Sequence, residues 1–376
     1  VAAGINDWGG VSPVTPDHVN PEAPWPHLRL LEAATRSAGK RLAKRLPIYP
    51  AFARNPSRWL DSKLLKSVLD RIDGDGAPRT DDWHPGHVGS LPARELEWRK
   101  RPARSSVATD VPAIIAHAQR GSELTEGEIV RLFRAHEDDF GTVCRGADEL
   151  RRAVNGDVVS YVVCRNINYT NICSFKCQFC AFSKGKMSEN LRGKPYDLEM
   201  SEVAQRVVEA WDRGASEVCM QGGIHPSYTG QKYLDVCRAV KGAVPDMHMH
   251  AFSPLEIHQG AQTLGIPVAE FLQRLKAAGL GTLPGTAAEI LDDEVRETLC
   301  ADKIRTQQWL DVMRTAHLVG FKSTATIMFG HIERYEHWAR HLLRVRRLQA
   351  ETGGFTEFVP LPFVHMEAPV YLKGRA

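Results

Sequence analysis

The sequence predicts an α/β fold in which parallel strands alternate with helices. From residue 158 onward, runs of β-branched and aromatic residues alternate with apolar stripes of helical spacing, and this strand-helix unit occurs six times. Glycine or proline also stands at the ends of the helical stripes. Strands joined in this way lie parallel through right-handed crossovers. Periodicity alone does not decide between a barrel, a partial barrel and a doubly wound sheet.

Six strands are predicted in this region, at residues 161–167, 217–220, 247–252, 282–290 together with a loop, 322–329 and 355–361. The helices between them present apolar residues on one face. In the first helix, Val203, Val207 and Trp211 share a face, and Gly214 ends the stripe. The later helices carry comparable stripes around Val236, Phe271, Met313 and Leu342.

Residues 109–156 are predicted to form a helical extension that closes one end of the strand-containing region. Asp110 followed by Pro112 marks the start of one helix. Thr125 and Glu128 form a capping-box pattern ahead of a second apolar stripe. These pieces are too short to bury a core alone, so they are expected to pack on the following domain.

The chain before residue 109 reads mostly as loop and linker. Five prolines between positions 13 and 26 exclude a long helix or a central strand there. A helix with a basic end is predicted at 28–46. From 73 to 110, glycines and prolines stand among charged residues, which predicts a linker. Its run Arg99-Lys100-Arg101 is interpreted as solvated rather than as a nucleic-acid site.

Composition limits the possible partners and compartment. The chain has 376 residues, 43% of them hydrophobic and 25% charged, with a formal net charge of +3. This is ordinary globular usage and supports neither nucleic acid nor a membrane surface as the main partner. No apolar run is long enough to cross a bilayer, and the start lacks a signal-peptide pattern. Three of the eight cysteines are clustered and the other five are scattered, unlike the disulfide framework of a small secreted domain. A cytoplasmic location is therefore predicted.

Three of the cysteines, Cys173, Cys177 and Cys180, lie within eight residues. Thiolates at these spacings can each bind one iron of a four-iron cluster and leave one iron open for a substrate or cofactor. A structural zinc site would need a fourth ligand, and the nearest downstream histidine is His225. A thioredoxin-like pair of Cys177 and Cys180 would leave Cys173 unexplained. The residues alone leave a non-catalytic iron-sulfur or zinc module open beside a catalytic cluster.

The Cys-x3-Cys-x2-Cys pattern, with Phe179 before the last cysteine, resembles that of the radical S-adenosylmethionine (radical SAM) enzymes. In that family, SAM chelates the open iron of a 4Fe-4S cluster, and an electron cleaves SAM to a deoxyadenosyl radical. The resemblance implies that Cys173, Cys177 and Cys180 hold such a cluster and that Phe179 lies at the cofactor. It also implies a TIM-type parallel (β/α) barrel or partial barrel, whose working face lies where the strands end.

The segments that flank the cysteines, at 166–172 and 220–226, are similar to the branch that makes deazaflavin and menaquinone precursors. The segment at 4–26 resembles the end of the first half of the bifunctional FO synthases, in which two radical SAM modules are fused. The resemblance implies four parts: residues 1–60 as the C-terminal tail of a preceding radical SAM module, 61–108 as a linker, 109–156 as the helical extension, and 157–376 as a radical SAM barrel truncated at its C-terminus.

The turn Gln221-Gly222-Gly223 after the second strand is predicted to contact SAM. In many family members this turn reads Gly-Gly-Glu and holds the methionine part of SAM, whereas here Ile224 and His225 follow the glycines. Glycines let a backbone approach a ligand closely, with amides free to bind it, although a plain tight turn explains the same residues. Glu289 is a second candidate for SAM, and it also fits an ordinary helix-start carboxylate.

Five further side chains are candidates for the substrate pocket. His248 and His250 share one face of the third strand, either the barrel interior or the helix layer. His331 follows the fifth strand, and Tyr169 and His225 flank the cysteine loop and the glycine turn.

The resemblance implies the tyrosine-using half of an FO synthase. In that reaction the radical takes a hydrogen atom from L-tyrosine, whose 4-hydroxybenzyl fragment adds to 5-amino-6-(D-ribitylamino)uracil. An electron donor and the other radical SAM half of the polypeptide are the implied partners. A menaquinone-pathway enzyme acting on futalosine-type nucleosides is the alternative within the family, and the segment at 6–10 argues against it.

Overall fold

The structure is a computed structural model that describes residues 7–8, 28–40, 42–69, 71–73, 76–78, 109–180, 195–365 and 368–374. Its internal contacts divide the chain into two units, Val1–Lys100 and Arg101–Ala376. The basic run at 99–101 and most of the predicted loop at 4–26 and linker at 73–110 lie outside the described residues. The four-part division predicted from the sequence stays a prediction.

The described part of the first unit contains four short helices: α1 (Leu28–Ser37), α2 (Pro50–Ala53), α3 (Pro56–Trp59) and α4 (Ser62–Leu69). The predicted helix at 28–46 is wrong in its second half, because α1 ends at Ser37. Gly39 adopts a left-handed φ of +70°, a conformation that ends helices rather than extending them.

The second unit begins with three helices: α5 (Val111–Gln119), α6 (Glu126–Phe133) and α7 (Glu137–Asn155). The predicted capping box is confirmed, since Thr125 Oγ1 accepts from Glu128 N at 3.2 Å and Glu128 Oε2 accepts from Thr125 N at 2.7 Å. Asp110 precedes α5 as expected, but its carboxylate accepts from Arg131 Nε at 2.7 Å and does not cap the helix.

Six parallel strands follow: β1 (Cys164–Asn168), β2 (Glu217–Gln221), β3 (His248–Ala251), β4 (Thr282–Leu283), β5 (Lys322–Phe329) and β6 (Phe355–Pro362). Each strand pairs with the next in chain order, and the sheet curls into a half-barrel. A doubly wound sheet reverses its strand order at a switch point, which this sheet does not do. The predicted α/β partial barrel is therefore confirmed.

β1 is shorter than the sequence predicts, and β4 takes up only the start of the predicted range 282–290. β1 begins only at Cys164, and Tyr161 before it is exposed. β4 has two residues because Pro284, which lacks an N–H for the ladder, follows at once. At Gly285 the chain then passes so close to β5 that an added Cβ would lie 2.5 Å from Thr324 O.

The strands are connected and covered by eight described helices: α8 (Met200–Asp212), α9 (Gly230–Ala243), α10 (Pro254–Leu264), α11 (Val268–Ala277), α12 (Asp293–Leu299), α13 (Thr306–Leu318), α14 (Tyr335–Thr352) and α15 (Pro369–Leu372). The main core joins strand residues such as Val218 and Met249 to helix residues such as Val207 and Leu272. Alternate strand residues therefore face the inside of the half-barrel. Among the described residues, no helix is long and apolar enough to cross a membrane.

Candidate active site

A cavity of about 250 Å³ opens where the strands end and the helices begin. Eight residues singled out from the sequence line it: Cys173, Cys177, Phe179, Cys180, Gln221, Gly222, Gly223 and Glu289. Other side chains complete the wall, among them Ser253, Leu255, Glu256, Lys303 and Met328. The cysteine loop, the glycine turn and the segment after β4 thus meet at one place, as expected at the working face of a parallel barrel.

The cysteine loop is anchored by backbone hydrogen bonds to three other segments. Ser174 N donates to Ile224 O at 2.9 Å, next to the glycine turn. Gln178 joins two more segments, because its N–H donates to Leu299 O and its carbonyl accepts from Val370 N, both at 2.7 Å. These bonds hold the loop backbone against the mouth of the half-barrel.

The sulfur atoms of Cys173, Cys177 and Cys180 do not all lie within 4.8 Å of one another. In the part of the chain that the structure describes, only Asp292, Glu294 and His337 place three metal-ligand atoms within 4.8 Å of one another. A tetrahedral zinc with Zn–S bonds of about 2.3 Å would bring its sulfurs to about 4 Å from each other. Sulfurs that bind different irons of one cluster lie farther apart. The donor set therefore fits an iron-sulfur cluster better than a single zinc ion.

The carboxylates near His337 belong to an ion-pair network. Asp292 accepts from Arg340 Nε at 2.7 Å and from Arg344 Nη1 at 3.1 Å. Burial raises the pKa of Asp292, but hydrogen bonds from the two guanidinium groups lower it by more, so the carboxylate stays ionised. Because arginines already neutralise these carboxylates, we interpret the group as structural.

The glycine turn differs from the expectation in one respect, because its amides are not free. Gly222 N donates to Glu256 Oε1 at 3.1 Å, and Gly223 N donates to Thr170 O at 2.9 Å. The next amide, of Ile224, points to Cys173 Sγ at 3.3 Å. The turn therefore offers a ligand close backbone approach rather than unpaired N–H groups.

Close packing explains why both positions of the turn are glycine. A Cβ on Gly222 would lie 2.4 Å from the ring of Tyr169. A Cβ on Gly223 would lie 2.3 Å from Ile172 O and 3.0 Å from Cys173 Cβ. Neither glycine has a positive φ, so space and not backbone conformation excludes a side chain here.

We expect Gly223→Ala to displace the cysteine loop and to lower the iron bound per chain after reconstitution at least about twofold, since overpacking of about 1–3 kcal/mol falls on the backbone of Ile172, next to Cys173. Iron and sulfide analysis measures the effect. Gly242→Ala in α9 is the matched control, because nothing lies within 4 Å of its added Cβ. Equal iron in the two variants would contradict the close approach of turn and loop.

Glu256, which the sequence reasoning missed, lies beneath the glycine turn. It is 1% exposed, and its Oε1 accepts from both Gly222 N and the Tyr169 hydroxyl. Oε2 accepts from Ser253 N and Ser253 Oγ, both at 2.6 Å, in a capping box at the start of α10. The Ser253-x-x-Glu256 spacing was the available signal, but it predicts only a helix start. Tyr169, predicted for the substrate pocket, is fully buried and contacts Glu256 instead of lining the cavity.

Glu289 and Lys303 form a buried ion pair at the cavity. Lys303 Nζ lies 2.6 Å from Glu289 Oε1 and 5.0 Å from the centre of the Phe179 ring. Burial alone lowers the pKa of Lys303, but the charge of Glu289 raises it well above its usual range, so the ammonium group stays charged. In Cys177, burial raises the thiol pKa against an opposing effect of Lys303. Lys303 lies between α12 and α13 in a segment that carried no recognisable sequence signal.

His248 and His250 face the inside of the half-barrel, since Met249 and Ala251 between and after them pack in the helix-side core. Thr282 Oγ1 bridges them, at 2.9 Å from His248 Nε2 and 2.7 Å from His250 Nδ1. Burial lowers the pKa of both rings, to about 4 for His250, so both are neutral at pH 7. On the neighbouring strand β2, His250 pairs with Cys219, one inward position below Gln221, and His248 pairs with Glu217, one position further down. Neither histidine lines the cavity.

The two remaining candidates also lie outside the cavity lining. His225 stacks on Tyr228 with ring centres 4.7 Å apart. His331 Nδ1 lies 2.6 Å from Glu333 Oε2, with both side chains almost wholly buried. Their roles in substrate binding stay predictions.

Comparison with known proteins gives the family. Residues 167–345 match the family model described as the radical SAM superfamily. The whole chain is 42% identical over 415 aligned positions to an FO synthase of Streptomyces coelicolor, of which it covers 47%. The chain thus spans about half the length of this curated relative.

A shorter relative aligns with the barrel-containing part. It is the 5-amino-6-(D-ribitylamino)uracil--L-tyrosine 4-hydroxyphenyl transferase of Methanocaldococcus jannaschii, 46% identical over 260 residues, which are 68% of this chain and 71% of that protein. Among solved structures, the FeFe-hydrogenase maturase HydG from Carboxydothermus hydrogenoformans superimposes with a TM-score of 0.52 over 68% of this chain and 56% of that one. At 18% identity this likeness supports the fold alone. The chain belongs to the radical SAM superfamily, in the family of the FO synthases and the tyrosine 4-hydroxyphenyl transferases.

Proposed function

We propose that the chain catalyses the tyrosine-using step in the biosynthesis of FO, the deazaflavin chromophore. It would join the 4-hydroxybenzyl group of L-tyrosine to 5-amino-6-(D-ribitylamino)uracil. The observation that carries the proposal is the cavity in which the cysteine loop meets the glycine turn. The chain that forms it is 46% identical over 260 residues to a transferase named for these two substrates.

The proposal assigns Cys173, Cys177 and Cys180 to a 4Fe-4S cluster with one open iron. The spread of the three thiols, each in the wall of the cavity, supports this assignment. Phe179, the Gln221-Gly222-Gly223 turn and Glu289 are the proposed neighbours of SAM. Bound together, the cluster and SAM supply the one-electron chemistry that begins with removal of a hydrogen atom from tyrosine.

The walls of the cavity favour such chemistry because they are mainly apolar. Phe179, Leu255, Met328 and Leu361 contribute apolar surface, and the polar groups Glu289 and Lys303 neutralise each other. A reactive site needs this shielding, since water and stray reductants would otherwise consume the reacting species. The neutral pair His248 and His250 lies inside the half-barrel below the cavity, and we propose that it borders the substrate there.

The remaining partners follow from the relatives and are part of the proposal. The chain covers about half of the FO synthases it matches, so we propose that a second radical SAM half belongs to the same polypeptide. Residues 1–60 would be the tail of that half. A separate electron donor would reduce the cluster.

An anaerobic reconstitution tests the proposed function. The chain is loaded with iron and sulfide, reduced, and supplied with SAM, tyrosine and the uracil, and the products are identified by mass. We expect deoxyadenosine together with a hydroxybenzyl adduct of the uracil that takes up label from ring-labelled tyrosine. Omission of tyrosine should remove the adduct. Deoxyadenosine without any labelled adduct would contradict the proposed substrates.

A further inference from the structure

The inner wall of the half-barrel below the cavity is polar along its first four strands. Strand residues that pack in the helix-side core, such as Ile167, Val218 and Met249, alternate with residues that point inward. Apart from Gln221 at the cavity, the inward positions of β1 to β4 are Cys164, Asn166, Asn168, Glu217, Cys219, His248, His250 and Thr282. None of them is a lysine or an arginine. This wall therefore offers hydrogen-bonding groups and one carboxylate, but no cation for an anionic ligand.

His248, Thr282 and His250 form a hydrogen-bonded bridge on this wall. Thr282 Oγ1 lies 2.9 Å from His248 Nε2 and 2.7 Å from His250 Nδ1. Both rings are neutral at pH 7, because burial lowers the pKa of each. A hydroxyl group has one hydrogen, so Thr282 donates to one ring and accepts from the other. Of the two outer ring nitrogens, His248 Nδ1 and His250 Nε2, one is therefore a donor and the other an acceptor.

The surroundings of the bridge leave it open to a ligand but disfavour negative charge. Gly281 makes room for the His248 ring, since an added Cβ there would lie 2.4 Å from His248 Cε1. The His248 side chain is 42% exposed, and Glu217 Oε2 lies 3.8 Å from its Nε2. Burial and the charge of Glu357 on β6 raise the pKa of Glu217. Since two carboxyl groups already influence each other here, neutral hydroxyl groups fit this level better than an anion.

The two proposed substrates differ in the chemistry for which this wall is suited. L-tyrosine carries a carboxylate, which binds most strongly to a cationic donor, and the wall supplies none. The ribityl chain of the uracil is neutral, and each of its hydroxyl groups both donates and accepts. Inward positions of one strand are about 7 Å apart, so His250 lies about 7 Å below the level of Gln221 and His248 about 13 Å below it. A ribityl chain on a ring near Gln221 therefore reaches the bridge.

We propose that the bridge of His248, Thr282 and His250 is the subsite for the ribityl chain of 5-amino-6-(D-ribitylamino)uracil and holds the uracil ring at the cavity. The two outer ring nitrogens bind hydroxyl groups of the chain, and Thr282 fixes the orientation of both rings. This inference rests on the proposed function for the identity of the ligand, and it adds where that ligand lies.

Anaerobic equilibrium binding to the reconstituted chain, with SAM but without a reductant, tests the subsite because no turnover occurs. The probes are the ribityl compound itself and 5,6-diaminouracil, which has the same ring without the polyol. Thr282→Val removes the hydroxyl group that orients the two rings. We expect it to raise the Kd of the ribityl compound at least about tenfold, since the bonds of both outer nitrogens depend on that orientation. The Kd of 5,6-diaminouracil should stay within about twofold.

Thr352→Val is the matched control. Thr352 Oγ1 lies 2.7 Å from His317 Nδ1, a contact of the same kind, but it joins α14 to α13 outside the half-barrel. Both Kd values should therefore stay unchanged in this variant. If Thr282→Val does not fold, His248→Ala takes its place, because that side chain is 42% exposed. We then expect the Kd of the ribityl compound to rise at least about threefold, as one hydrogen-bonding group is lost.

An unchanged Kd of the ribityl compound in the variant measured, or an equal rise for both probes, would overturn the inference. Failure of the subsite and failure of the proposed function give different results. If the variants bind the ribityl compound normally while the unaltered chain forms the labelled adduct, only the subsite is wrong. If the ribityl compound binds as expected but no labelled adduct forms, only the proposed reaction is contradicted.

Discussion

Replacement of Cys177 by alanine is expected to abolish the bound cluster and, with it, cleavage of SAM by at least about a thousandfold. Cys177 is the most buried thiol of the cysteine loop and lies in the wall of the cavity. A cluster with only two of its three protein thiolates loses one fixed iron, and the neighbouring thiol of Cys300 does not line the cavity. Iron and sulfide analysis, followed by measurement of deoxyadenosine release, checks the result. Cys173→Ala and Cys180→Ala should behave alike.

Cys164→Ser provides the control for this prediction. Cys164 is exposed at the start of β1, at the end of the strand opposite the cavity, so its replacement should leave iron content and deoxyadenosine release unchanged. Circular dichroism should show the same helix content in all variants. Retention of a redox-active cluster in Cys177→Ala would contradict the ligand assignment.

Replacement of Lys303 by methionine is expected to destabilise the second unit by about 3–5 kcal/mol, because it leaves the carboxylate of Glu289 buried without its partner. The side chains are only 11% and 6% exposed, so solvent cannot take over from the ammonium group. The midpoint of urea unfolding, followed by circular dichroism, measures the loss.

The double variant Lys303→Met with Glu289→Gln separates this effect from simple loss of packing. Removal of both charges should recover most of the lost stability, since a buried ion pair and a neutral pair of similar volume are often close in free energy. Arg314→Met offers a contrast on the surface, where its pair with Glu351 is half-exposed and should contribute at most about 1 kcal/mol. If the loss of unfolding free energy in the double variant equalled the sum of the losses in Lys303→Met and Glu289→Gln alone, the pairing would be contradicted.

The fold was predictable from the sequence to the extent that local patterns determine it. Apolar residues that recur every two positions in strands and every 3.6 positions in helices predicted the order of the elements. The capping box at Thr125 correctly predicted a helix start. The predicted range 282–290 did not separate β4 from its loop, although Pro284, which lacks an N–H for the ladder, follows Leu283 at once. α1 ends at Ser37 and not at residue 46, because Gly39 adopts a left-handed φ that terminates the helix.

The candidate site was predictable only where its residues are neighbours in the sequence. The three cysteines lie within one loop, so their spacing carries the signal. Glu256 and Lys303 join the cavity through the fold, from segments far from that loop, and nothing in their local sequence indicates a site. The prediction that the amides of Gly222 and Gly223 are free was wrong for the same reason. Their acceptors, Glu256 and Thr170, come from other segments of the chain.

The central claim, that three cysteines hold a cluster whose open iron receives SAM, is tested most directly by electron paramagnetic resonance. The reconstituted chain is reduced anaerobically, and its spectrum is recorded before and after addition of saturating SAM. We predict the signal of a reduced four-iron cluster whose shape changes on addition of SAM, because the cofactor binds an iron that no protein ligand occupies. A cluster signal that SAM leaves unchanged, or a protein that binds zinc and gives no signal, would contradict the claim.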